Sequence, residues 1–159
     1  MFRLRNFIIM IIKTIDSFLT RDINQVKLEL ELYEHENTIW KIENGIANSA
    51  GNLCLHLLGN LNGFICVGIG KSGYIRNRSL EFSDKNIPRS ELVHQLNTTR
   101  DGVSSSLELI SDEVLDKDFP LQPFDKKSSF GYMLIHIATH LNYHLGQINY
   151  HRRLLDERP

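Results

Sequence analysis

Ile8, Ile12, Ile15, Leu19, Ile23, Val26 and Leu30 recur at steps of three and four residues, the spacing that lines one face of an α-helix. One long amphipathic helix reaching about Tyr33 follows, with a single apolar stripe to bury. Three more segments share that periodicity. A second helix starts near Asn48 or Ser49, either a good N-cap, and runs through Leu53, His56, Leu57, Asn60, Phe64 and Val67. Pro88 suits the first turn of a third, whose stripe is Leu92, Leu96, Val103, Leu107 and Ile110. Ser128 or Ser129 caps a fourth that ends near Leu155. Residues 68–87 read as a polar loop opened by Gly68, Gly70 and Gly73, and residues 116–128, with Pro120 and Pro123, cannot form a continuous helix. Residues 37–51 read as a structured connection anchored by Trp40 and Ile42. No strand-like alternation or internal repeat appears, so the expected fold is all-α, a four-helix bundle.

A chain of 159 residues makes one domain, 1–159, with a proper core. Its net charge of −1 supplies no field for nucleic acid. Cys54 and Cys66 sit in an apolar segment and read as reduced core residues of a cytoplasmic protein. Behind Arg3 and Arg5, the apolar run Phe7-Ile8-Ile9-Met10-Ile11-Ile12 imitates a signal peptide. Lys13 and Asp16 end it, no small-residue cleavage site follows, and it is too short to span a bilayer. A buried helix start is expected, and no membrane partner. Gly59 and Gly63, one turn apart in the second helix, point to close approach by a neighbour or ligand.

The chemistry concentrates in the fourth helix. His136, His140 and His144 stand four residues apart, each step turning the side chain by only ~40°, and His151 returns to the same stripe. Imidazole is a common ligand for first-row metals, and an i,i+4 pair can hold one ion between two turns. Spacing treats His136/His140 and His140/His144 as equals. Three protein ligands plus water is the usual open arrangement. For the third ligand, His56 stands out because it lies within an apolar helix, where an imidazole is costly to bury without a partner. His35 and His94 have polar neighbours and read as solvated.

Three segments together resemble the DinB/YfiT-like superfamily of metal-binding proteins, within it small bacterial members of uncharacterised function. They are Asn48-Ser49-Ala50-Gly51-Asn52-Leu53-Cys54-Leu55-His56-Leu57-Leu58-Gly59-Asn60-Leu61, the loop Ile75-Arg76-Asn77-Arg78-Ser79-Leu80-Glu81-Phe82, and His136-Ile137-Ala138-Thr139-His140-Leu141-Asn142-Tyr143-His144-Leu145-Gly146-Gln147-Ile148. They agree in order and spacing from about Trp40 to Leu155. The resemblance implies up-down-down-up connectivity and a divalent metal held by His56, His140 and His144. His136 is then left to support the site or pack against the bundle, and His151 to cap the helix or face solvent.

Zinc or nickel suits such a site, with iron or cobalt as alternatives. Ile137 and Leu141 follow the relevant histidines, so the glutamate base of a His-Glu-x-x-His peptidase is missing. Some relatives in the superfamily are transferases or isomerases that use a low-molecular-weight thiol. An enzyme activating such a thiol or water, of S-transferase or hydrolase type, is the expectation. A non-catalytic metal-binding or stress-response protein is the alternative. Arg76 and Arg78 could hold an anionic substrate group, although a salt bridge to Glu81 or Asp84 is the plainer role. Asn52, Asn60 and Gln147 lie one turn from the ligands and could orient them, and Tyr143 is either a proton donor or a core aromatic. The long apolar first helix and the habits of the resembling proteins suggest a homodimer.

Overall fold

The structure, a computed structural model, describes residues 2–43, 45–111, 114–123 and 125–156, with side chains from residue 7 onward. The side chains of Arg3 and Arg5 therefore lie outside the described residues. The described residues form five α-helices: α1 (Phe2–Glu31), α2 (Ala50–Leu61), α3 (Arg78–Ser83), α4 (Arg89–Leu107) and α5 (Phe130–Leu155). Among the described residues there is no strand, only an isolated antiparallel bridge between Asp118 and Ser129.

The apolar stripes meet in one core. Leu19, Ile23, Val26 and Leu30 of α1 pack with Leu53, Leu57 and Leu61 of α2, Leu92, Leu96 and Val103 of α4, and Met133, Ile137, Leu141 and Ile148 of α5. Helix α1 lies against α4 and α5, while α2 lies against α3, α4 and α5. Polar pairs give the relative directions. Asn24 meets Arg100 and Asp16 meets Ser104, so α1 and α4 run antiparallel. Asp22 meets Asn142 and Glu29 meets Asn149 and Arg152, so α1 and α5 run parallel. Burial alone would raise the Glu29 carboxyl, but the hydrogen bonds from Asn149, Arg152 and Gln25 bring it below its usual value.

Local chemistry sets most helix ends where they are expected. The Ser49 hydroxyl accepts from the Asn52 amide at the start of α2, and Ser129 accepts from Tyr132 at the start of α5. Pro88 is the cap residue just before α4 rather than a member of its first turn. Leu107 is the last residue of α4, leaving Ile110 beyond it, partly buried against the core. Helix α2 passes into a π-helical turn at Asn62–Val67, where Asn62 bonds to the Leu58 carbonyl and to Thr99 of α4. By length and composition Ala50–Val67 could cross a membrane, yet 67% of it is buried inside this fold as a core element.

Four further expectations change. The polar loop at 68–87 contains α3, started by Asn77, whose side chain accepts from the Leu80 amide. The N-terminal apolar run is not buried throughout, since Phe7, Ile9 and Met10 are exposed and burial begins at Ile12. Trp40 anchors the 37–51 connection by lying against Gly51, whereas Ile42 faces outward. His151 neither caps α5 nor meets solvent. It is buried where the α1 C-terminus passes α5, accepting from the Tyr33 hydroxyl at 2.7 Å and donating through Nε2 to the Lys41 carbonyl at 2.9 Å. Parallel packing of α1 on α5 brings Tyr33 over it, which spacing along α5 cannot reveal.

Burial holds His151 below its usual pKa, partly opposed by the Lys41 carbonyl and Asp156. Below about pH 6.5 the unfolded chain takes up this proton more readily than the fold does, so His151's contribution to stability falls with pH. The melting-temperature gap between wild type and His151→Gln should therefore narrow from about pH 7.5 to about pH 5.5. A gap independent of pH in thermal melts would contradict this assignment.

Candidate metal centre

His140 and His144 lie one turn apart on α5, on the flank that faces α2. His56 projects from α2 into the same space, 8% exposed among Leu53, Leu57 and their neighbours. The Nε2 atom of His140 is 3.4 Å from that of His56 and 3.1 Å from that of His144. Two nitrogens on one ion at ~2.0–2.1 Å would stand about 3.0 Å apart at right angles and about 3.4 Å apart in a tetrahedron. The two spacings from His140 thus match those of nitrogens that share an ion. One ligand atom from each lies within 4.8 Å of the others, so the group could hold a metal ion.

The outward ring nitrogens say which tautomers are present. His56 donates from Nδ1 to Glu81 Oε2 at 2.8 Å, which leaves its Nε2 lone pair free to point into the cluster. His144 donates from Nδ1 to Gln147 Oε1 at 2.6 Å, and the Gln147 amide is itself held by donating to the Tyr143 hydroxyl at 3.2 Å. Two lone pairs are therefore aimed at the same place. Asn60 Nδ2 donates to the His56 carbonyl at 3.1 Å and stands 3.0 Å from His56 Nε2, a donor that competes for its lone pair.

Burial lowers the pKa of all three histidines. For His140 burial comes first, joined by the charges of His144, His56, His136 and Arg76, and the value falls to about 4. His56 is lowered by burial against the opposing pull of Glu81, and His144 by burial against that of Gln147. At neutral pH the cluster consists of uncharged imidazoles, the form that ligates metals.

Glu81 was not among the expected site residues. It is 5% exposed, on α3, and it also forms a two-point ion pair with Arg76, Nε to Oε1 at 2.6 Å and Nη2 to Oε2 at 2.9 Å. The local signal was an Asn77 cap followed by Leu80 and Phe82 around the glutamate, too short a pattern to stand out. Gly59 of α2 and Gly63 of the π-helical turn after it make room for this pair. A Cβ at Gly59 would strike the Glu81 carboxylate, and one at Gly63 would press on Arg76 Cδ at 3.2 Å.

The remaining candidates are distributed more widely. His136 is outside the group of three, its ring stacked with that of Tyr132 at 6.3 Å and tilted toward that of His140 at 5.9 Å between centroids. Asn52 is buried and donates to the carbonyls of Glu81 and Asp84, so it fastens α3 to α2 rather than touching the imidazoles. Arg76 has the salt-bridge role, and Arg78 is exposed at the first position of α3. Tyr143 is exposed, not a core aromatic, with its ring 5.1 Å from that of His144. His35 and His94 are exposed as expected. The chain matches no family model and no curated protein.

Gly59→Ala separates helix propensity from this packing. Alanine favours the helix by about 1 kcal/mol, whereas displacing a buried, paired carboxylate costs about 3–5 kcal/mol. The variant should melt below wild type, and equal or higher stability in a thermal melt would mean that Glu81 is not fixed over Gly59.

Proposed function

We propose that this protein binds a divalent cation, zinc or nickel in preference to iron or cobalt, through His56, His140 and His144. The observation that carries this reading is the approach of His140 Nε2 to the Nε2 atoms of His56 and His144, at 3.4 and 3.1 Å, with those two rings held from behind by Glu81 and Gln147. The fold that goes with it is a four-helix bundle of α1, α2, α4 and α5 in up-down-down-up order, of the DinB/YfiT-like kind. The antiparallel α1–α4 pair and the parallel α1–α5 pair support that order.

The activity that fits best is attack by a low-molecular-weight thiol or water on a small electrophile, of S-transferase or hydrolase type. A cation here would supply positive charge that favours the deprotonated form of a coordinated thiol or water. The neutral imidazoles leave that charge undiminished, and His140 and His144 keep one side of the cluster only partly buried, which gives a small molecule access. A sealed, non-catalytic metal site would gain from a fourth ligand, and His136 lies outside the group that could bind. The buried, free Cys54 and Cys66 fit a reducing cytoplasmic setting, with Cys54 raised by burial to about 12 and so inert as a nucleophile.

Elemental analysis of protein purified without an affinity tag should find about one equivalent of zinc or nickel, set by the single three-histidine site. His56→Ala and His144→Ala should each abolish it. Folded wild type that takes up no metal even on reconstitution would overturn the proposal.

Exposed Phe7, Met10, Phe18 and Leu28 along α1, with Leu32 just beyond it, support the pairing of two copies. Size-exclusion chromatography with light scattering should give twice the chain mass at micromolar concentration, and a clean monomer would reject the pair.

A further inference from the structure

Glu81 Oε2 accepts two donors at once, His56 Nδ1 at 2.8 Å and Arg76 Nη2 at 2.9 Å. The imidazole and the guanidinium therefore draw on the same oxygen. A carboxylate behind a ligating histidine makes its other nitrogen a better donor, because negative charge at Nδ1–H pushes electron density toward Nε2. A guanidinium on that carboxylate does the opposite. We infer that Arg76 and Glu81 are opposed positioning residues for the cation, Glu81 strengthening its hold and Arg76 weakening it. The inference rests on the three-histidine reading and concerns how tightly that site holds its ion.

Three further observations separate this from a clamp that merely ties α3 to α2. First, that fastening already exists without the ion pair, through the two hydrogen bonds from Asn52 to the Glu81 and Asp84 carbonyls. Second, the charge of Arg76 reaches the cluster through the very oxygen that orients a ligand, since Nη2 of Arg76 and Nδ1 of His56 stand 2.9 and 2.8 Å from Glu81 Oε2. Third, Arg76 is fixed in that position from both sides. Its guanidinium lies over the Phe64 ring at 5.6 Å and its stem packs beside Gly63. A charge held rigidly near an ion of like sign raises the energy of the bound state, while the same charge stabilises buried Glu81 in the metal-free state. Fold stability and cation affinity therefore pull in opposite directions at Arg76.

Zinc is the probe. Affinities are measured by competition with a chromogenic chelator, alongside thermal melts of the metal-free proteins. Glu81→Gln keeps an acceptor for His56 but loses the charge and leaves Arg76 uncompensated, and should bind zinc about 10- to 100-fold more weakly. Arg76→Gln should melt lower without metal yet bind zinc several-fold more tightly. Arg76→Lys retains the charge and should stay near wild-type affinity. The Arg76→Gln/Glu81→Gln double variant buries no lone charge, which keeps the test usable if Arg76→Gln does not fold. It should bind more tightly than Glu81→Gln alone.

Unchanged or weakened zinc binding in Arg76→Gln, or a double variant no better than Glu81→Gln, would show a structural clamp and overturn this inference alone. Wild type that binds no zinc would overturn the three-histidine reading and the inference with it.

Discussion

A buried imidazole on an apolar helix must find partners for both ring nitrogens, and His56 is the residue on which the arrangement of the site turns. One nitrogen is met by Glu81, the other faces His140. Meeting the first demand brings a carboxylate into the interior, which Arg76 then neutralises. That ion pair occupies the surface of α2 and of the π-helical turn after it, where Gly59 and Gly63 carry no side chain. The glycines, the short α3 and the N-cap at Asn77 are thus consequences of one desolvation problem. Without the chain of partners, the neutral His56 could not be presented to α5 with its lone pair forward.

A second polar seam performs the equivalent task between α1 and α5. Glu29, Arg152, Asn149, Tyr33 and His151 bury charges and dipoles in mutual contact. Paired charges of this kind add little net stability over an apolar seam, but they penalise any register in which the partners miss one another. Their effect here is to fix α5 lengthwise against α1, and with it the height at which His140 and His144 stand opposite His56. The candidate metal centre is positioned by packing on both sides of α5, one side apolar and the other polar.

The two histidine roles on α5 show how environment divides chemically identical groups. His140 has both His56 and His144 in reach and an environment that keeps it neutral, whereas His151 has hydrogen-bond partners on both nitrogens and no lone pair to offer. His136, in the same stripe, stacks with Tyr132 and lies outside the group of three. All three repeat at helical spacing, and only the surroundings decide which can ligate.

Four of the five described helices and the histidine face are legible in the sequence alone. The three- and four-residue apolar steps, the caps at Ser49 and Ser129 and the four-residue histidine spacing are local properties, because helix geometry links residues only a few positions apart. The sequence also singled out His56, since an imidazole among leucines is anomalous wherever the helix packs. It did not reveal Glu81 as the partner of His56, 25 residues away, nor Tyr33 as the partner of His151, 118 residues away. It likewise left His136 and His144 equivalent, left Tyr143 between a proton donor and a core aromatic, and hid the six-residue α3 inside a polar loop. Those matters depend on which helix faces which and at what height. Tertiary packing decides them, because hydrogen bonds and desolvation act between neighbours in space, whatever their separation along the chain.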